Sequence, residues 1–258
     1  MRGPAARKRE RHGFWGAAEA TSPAEKRLRN TKFFPTLADM RKALPSSLFL
    51  LLISAVLSFG QAKTDPWEKE ISAFEASDKT NPPPKGAILF IGSSSIRMWQ
   101  SLAKDFPDHK VINRGFGGSQ IIDSVQFAER IAIPYQPKQI VIYAGGNDIN
   151  AGKSPEQVFA DYKAFVAKIH TALPQTKIDY ISIAPNPARW AQVEKVKAAN
   201  EMIAQYAKNN PGLRFIDVYS QMLGKDGQPK PDIYLKDRLH MNAKGYELWT
   251  GIIRPYLN

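Results

Sequence analysis

Ala87-Ile88-Leu89-Phe90-Ile91-Gly92-Ser93-Ser94-Ser95-Ile96-Arg97 begins with five apolar residues, halts at a glycine and passes through three serines. A short apolar run without strict alternation reads as a strand buried on both faces, as in a parallel sheet. The serines then mark a strand–turn–helix junction, which lifts a small side chain above the sheet edge. A helix starting there aims backbone N–H groups at any developing anion. Gly-Ser-Ser-Ser is weak by itself, because serine clusters also make turns and N-caps.

Working outward, four more such runs follow: Lys110–Asn113, Gln139–Ala144, Ile178–Ala184 and Arg214–Val218. Helical segments separate them. Ser154-Pro155-Glu156-Gln157 supplies an N-cap, a first-turn proline and a capping-box glutamine. Val158, Tyr162, Phe165, Val166, Ile169 and Leu173 continue at helical spacing. Trp190, Val193, Val196, Ile203 and Tyr206 mark another helix, stopped by Asn209-Asn210-Pro211-Gly212. A last helix spans about Ala243 to Tyr256, and a first one about Pro66 to Ala76, ahead of the stiff Asn81-Pro82-Pro83-Pro84-Lys85-Gly86 turn. Repeated strand–helix units predict an α/β fold, a three-layer α/β/α sandwich on a five-stranded parallel sheet. Ligands of such sheets bind beyond the carboxyl ends of the strands.

Three further loops share that edge. Asn113-Arg114-Gly115-Phe116-Gly117-Gly118-Ser119 lets the backbone approach a ligand closely, or is simply flexible. It lacks the Lys-Ser/Thr ending of a P-loop, which argues against a nucleotide. Ala144-Gly145-Gly146-Asn147-Asp148 is turn chemistry by default, yet the Asn147 amide is a suitable oxyanion donor. Asp237 precedes His240 by three residues, so the carboxylate can hold Nδ1–H and leave Nε2 as a base; an ion pair or a cap has the same spacing. The other three histidines fit less well. His12 lies in the prefix, His109 precedes a strand at the remote end, and His170 sits in a helix as a solvated residue.

Taken in order, these four segments resemble the SGNH hydrolase superfamily, the GDSL-like esterases and lipases, from about Ala87 to Tyr256. The four residues behind the initials match Ser94, Gly118, Asn147 and His240. The resemblance implies a flavodoxin-like SGNH fold and a serine esterase or acylhydrolase. Ser94 is then the nucleophile, His240 the base and Asp237 the residue that orients it. The Ser94 and Gly118 backbone N–H groups and the Asn147 side chain form the oxyanion hole, and neither metal nor organic cofactor is implied. The sequence departs from the family at Ser93, where an Asp is usual, and at Met241, where a Pro is usual. The Gly-Ser-Ser-Ser-Ile-Arg variant is similar to the platelet-activating-factor-acetylhydrolase-like subgroup. Arg97, Trp99, Phe116, Asn186 and Trp190 are candidates for the pocket by loop position, with packing as the default role for the aromatics. Asn200, on the apolar face of its helix, reads as a satisfied buried amide.

The chain has 258 residues, a net charge of +12 and no cysteine. Without cysteine there is no disulfide framework, cysteine nucleophile, Cys-ligated zinc or lipoprotein acyl site. Of the charge, +7 lies within residues 1–62. There, Arg41 and Lys42 precede an uncharged apolar run at 48–59, and Gly60-Gln61-Ala62 follows. The run is too short for a bilayer core, which takes about 20 residues. Basic start, short apolar run and small-residue site together describe a secretory signal peptide cleaved after Ala62. Met40 then reads as the start of the signal, and residues 1–39 as a disordered or mis-assigned extension. The expected organisation is 1–39 extension, 40–62 signal and 63–258 hydrolase domain. The mature chain is expected to be periplasmic or secreted, with no membrane span.

The expected partner is a small-molecule ester, an acetylated glycan or a lipid. Two rival readings stand beside the esterase. One is an inactive carbohydrate- or lipid-binding module on the same fold, which would be expected to have lost at least one of the five site residues. The other is a nucleic-acid binder, disfavoured because only +5 remains after residue 62 and no basic stripe is visible.

Overall fold

The computed structural model describes residues 65–258; the expected extension, signal segment and cleavage site lie outside them. Five strands form one parallel sheet in the order 2-1-3-4-5. They are β1 Ile88–Gly92, β2 Val111–Gly115, β3 Gln139–Tyr143, β4 Lys177–Ile181 and β5 Leu213–Ile216. The predicted sandwich is therefore the observed fold, and the strand order reverses between β1 and β3, where open α/β sheets leave a crevice.

Alternation along β1 explains the three layers. Leu89 and Ile91 face a core built with α1 Glu68–Thr80, α4 Ile121–Gln126, α5 Ala128–Ile131, α7 Pro155–Ala172 and α8 Val193–Lys208. Ile88 and Phe90 face the opposite core, which holds Trp99, Leu102 and Phe106 and the Tyr246, Trp249 and Ile253 side chains of α9 Ala243–Ile253. Short helices α2 Ser94–Arg97, α3 Leu102–Asp105 and α6 Gly146–Asn150 complete the set. Burying each such aliphatic or aromatic side chain stabilises the fold by about 1.5–3 kcal/mol.

Local differences from the expected boundaries have physical causes. α1 runs from Glu68 to Thr80 rather than from Pro66 to Ala76. Its last turn is polar, so apolar spacing stops before the helix does, and the proline run after Asn81 is what ends it. β2 continues to Gly115, because Arg114 and Gly115 pair with Ile91 and Gly92. The Arg114 guanidinium is neutralised there by Asp78 and lies 4.8 Å above the Phe74 ring. β4 and β5 stop early. Beyond them the Ser182 hydroxyl accepts from Val218 N and Tyr219 N at 3.0 and 2.9 Å, replacing the ladder with a side chain. Trp190 lies in a 3₁₀ segment, Pro187–Gln192, that precedes α8 rather than within the α-helix. The final α-helix ends at Ile253, and Arg254–Tyr256 is a 3₁₀ turn. The capping box at Ser154 forms as expected, with Gln157 N donating to Ser154 Oγ and Ser154 N to Gln157 Oε1.

Candidate active site

Ser94 opens α2 directly above β1 and is half-buried. Gly92 makes the turn possible. Its φ is 135°, and a Cβ there would stand 1.9 Å from the Tyr143 carbonyl oxygen of the adjacent strand. Ser93 N donates to that same oxygen at 3.0 Å, and the Ser93 side chain is buried beneath the turn. Tyr246 from α9 donates its hydroxyl to Ser95 O at 2.9 Å, which anchors the far side of the serine run.

Ser94 Oγ stands 2.9 Å from His240 Nε2, and His240 Nδ1 stands 2.7 Å from Asp237 Oδ2. A carboxylate only accepts, so Nδ1 carries the proton and Nε2 is left to receive one from the serine. The turn that carries this pair is held from within. Asp237 Oδ1 accepts from Leu239 N and His240 N at 3.0 Å each, and Arg238 takes a left-handed φ of 59° between them. Leu235 N donates to His240 O at 2.8 Å, and Tyr234 bridges Met241 in antiparallel fashion. The His240 hydrogen bond, helped by the two backbone N–H groups, lowers the Asp237 carboxyl to about 2. Its side chain is 47% exposed, so burial opposes this only weakly.

Gly118 and Asn147 lie at the same edge. Gly118 adopts a φ of 76°, and the space a Cβ would occupy there is open. Among the described residues, neither Ser94 N nor Gly118 N has a hydrogen-bond partner. α1 fixes the preceding residue: Gly117 N donates to Glu70 Oε2 at 2.9 Å, and Trp67 Nε1 donates to Gly117 O at 2.6 Å. Asn147 Nδ2 donates to Ser119 O at 3.0 Å, which leaves its second amide proton free. Its Oδ1 accepts from Arg189 Nη1 at 3.0 Å.

Ser94, Asn147 and His240 border a cavity of about 490 Å³, counting the part open to solvent, and Tyr143, Met222 and Trp249 also line it. Asn186 lines it as expected from the sequence, and Trp190 instead lines an adjoining smaller cavity. Arg97, Trp99 and Phe116 do not join it. Trp99 and Phe116 are core residues, and Arg97 pairs with Glu70 at 2.8 Å beside a separate groove. That groove is large enough for a ligand but contains neither Ser94 nor His240. His170 is half-buried, with Nε2 3.0 Å from Thr176 O, rather than solvated, because its helix ends against the loop that enters β4. Asn200 is the satisfied amide expected: Ile183 N donates to its Oδ1 at 2.8 Å, and its Nδ2 donates to Ile183 O at 3.0 Å. Sequence reasoning missed Arg189, Tyr143, Tyr234 and Trp249. Nothing in the sequence separates Arg189 from the other 35 basic residues, and the aromatics reach the site only through the sheet register for Tyr143, the docking of α9 for Trp249 and the bridge to Met241 for Tyr234.

Residues 84–248 match the GDSL-like Lipase/Acylhydrolase family model. No curated protein matches the chain. Among solved structures, a Streptococcus pneumonia protein given the provisional name platelet activating factor is 22% identical. The likeness covers 83% of this chain and 100% of that one, with a TM-score of 0.67. A GDSL-like lipase from Bacteroides thetaiotaomicron is 20% identical over 72% of this chain and 96% of its own, at a TM-score of 0.62. A carbohydrate esterase family 3 protein from Talaromyces cellulolyticus is 18% identical over 66% and 94%, at 0.53. Likenesses at these identities establish the shared fold.

Proposed function

The chain belongs to the GDSL-like lipase/acylhydrolase family, and from that premise we propose that it cleaves acetyl or short-acyl carboxylic esters through an acyl-serine intermediate on Ser94. The observation that carries this reading is the unbroken relay from Ser94 Oγ through His240 to Asp237. In the proposed reaction, the Ser94 oxygen attacks the ester carbonyl carbon while His240 Nε2 takes the hydroxyl proton. The negative charge moving onto the carbonyl oxygen is met by Ser94 N, Gly118 N and the free Asn147 amide proton. His240 returns the proton to the departing alcohol, and water then repeats the attack on the acyl-enzyme. Asp237 stays anionic throughout and favours the imidazolium. Each oxyanion donor is worth about 2.7–4 kcal/mol at the transition state.

The cavity beside Ser94 favours a small acyl group. Ile183, Ala184, Met241 and Trp249 wall it closely, which leaves little enclosed room beside the nucleophile. The substrate is an acetylated glycan, a lipid or a simple small-molecule ester. Export to the periplasm or medium is part of the proposal. It is supported by the basic start and short apolar run before Ala62, and among the described residues no helix is long and apolar enough to cross a membrane.

Purified protein is expected to hydrolyse p-nitrophenyl acetate and to be labelled by a fluorophosphonate probe, with both lost in Ser94→Ala. Full hydrolysis by Ser94→Ala would overturn the assignment. A wild-type protein inert to substrate and probe would favour a binding module. A panel of acyl lengths and acetylated glycans then fixes the alcohol and acyl classes.

A further inference from the structure

We infer that Arg189 is a positioning residue that sets the orientation of the Asn147 amide and through it the third oxyanion donor. This rests on the reading of Asn147 given above. Arg189 Nη1 donates to Asn147 Oδ1 at 3.0 Å and to Gly146 O at 3.1 Å. A guanidinium has no acceptor, so the amide oxygen must face it. On the other side Ser119 O only accepts and meets Nδ2 at 3.0 Å. The two contacts together exclude the flipped amide, which would set N–H against N–H and O against O. Without Arg189, only one contact opposes rotation about the Asn147 side chain.

The placement of Arg189 is itself built. Its backbone N–H is held by the Asn186 side chain at 2.9 Å, and its φ of −122° and ψ of 23° break the 3₁₀ segment at this residue. The neighbouring Ala188 N donates to Arg238 O at 3.1 Å, inside the Asp237–His240 turn. One short segment therefore touches both halves of the proposed machinery. Among the described residues Arg189 has no carboxylate in ion-pair range. Its charge is thus left to polarise the Asn147 amide, making the remaining N–H a stronger donor as the oxyanion forms.

The test is a double-mutant cycle with the full chain and p-nitrophenyl acetate, using Arg189→Met, Asn147→Ala and the pair. Arg189→Met is expected to lower kcat by roughly 10–100-fold with little change in KM, the cost of misplacing a catalytic group by about an ångström. Arg189→Lys, which keeps the charge and one donor, should recover part of that loss. The pair should be no slower than Asn147→Ala alone, because Arg189 acts through Asn147. Multiplicative losses in the pair would overturn the inference, as would a loss confined to KM.

A readout independent of turnover is the Asn147 side-chain NH₂ signal in NMR spectra of wild type and Arg189→Met. In Arg189→Met both proton shifts should move toward those of a free asparagine, and the proton bonded to Ser119 O should exchange faster with solvent. An unchanged pair of signals would overturn the inference, even if no ester is turned over. Should Arg189→Met not fold, Arg189→Lys carries the same comparisons. Retention of hydrolysis by Ser94→Ala would sink the catalytic reading instead, so the two failures are separable.

Discussion

The indole N–H of Trp67 donates to the carbonyl oxygen of Gly117 at 2.6 Å, one residue before the backbone N–H proposed as an oxyanion donor. Glu70 takes Gly117 N, so both polar groups of that glycine are fastened to α1. Trp67 also packs edge-on against Phe116, with ring centroids 6.1 Å apart. Trp67→Phe keeps the packing and removes the donor. It should lower kcat about tenfold while the unfolding free energy falls by only about 1 kcal/mol. Steady-state kinetics and equilibrium unfolding on one sample check both halves.

The relay predicts an unequal response to losing its members. His240→Ala should reduce kcat/KM by at least about 10³-fold, since the base and the proton donor to the leaving group vanish together. Asp237→Ala should cost less, because it removes only the group that orients the imidazole, and water reaches the exposed position. Equal losses would show that Asp237 does more than orient the imidazole.

Acid pH should weaken the fold through Asp237. The carboxyl moves from its ordinary 3.8 to about 2 because the folded protein stabilises the anion. A lowered acid contributes stability that is complete above about 3.8 and disappears as pH falls through about 2. Denaturation midpoints of wild type should therefore drop between pH 4 and pH 2 by more than those of Asp237→Asn.

Gly92→Ala tests the turn under Ser94. The new methyl group has nowhere to go against the Tyr143 carbonyl at 1.9 Å, and β1 lies between β2 and β3. The expected result is a loss of about 3 kcal/mol of stability and no detectable hydrolysis. Thermal unfolding followed by circular dichroism reports the first, and the ester assay the second.

Asn200→Leu removes a side chain that closes both polar groups of Ile183. Leaving a buried N–H and C=O unpaired should cost about 2–4 kcal/mol. Equilibrium unfolding in urea measures that loss, and because Ile183 also walls the Ser94 cavity a rise in KM should accompany it.

The sheet was legible because each strand is a compact apolar run, and turn residues punctuate the chain between them. Strand ends were less so. At β4 and β5 the ladder gives way to the Ser182 hydroxyl, a contact across 36 residues that no local pattern announces. The same distinction holds at the site. Ser94, Gly118, Asn147, Asp237 and His240 stand in short motifs with their own chemistry, and the structure brings Ser94, Asp237 and His240 into one hydrogen-bonded chain, with Asn147 beside it on the same cavity. Arg189, Trp67 and Glu70 contribute through contacts 42, 50 and 47 residues away, so their meaning exists only after folding. Trp99 and Phe116 take the packing role that was the default for them. Each stands close to a functional residue in sequence, yet each turns inward to fill a core.

Ser94, Gly118 and Asn147 follow three adjoining strands, whereas His240 rides on a turn outside the sheet, closed by the Tyr234–Met241 bridge and joined to the neighbouring segment by the Ala188 N–Arg238 O and Tyr234–Pro185 bonds. Heat should accordingly divide the molecule along that seam. A cradle able to hold an anion would outlast the imidazole that makes it useful, and catalytic output would fade at temperatures where circular dichroism still reports an intact sheet.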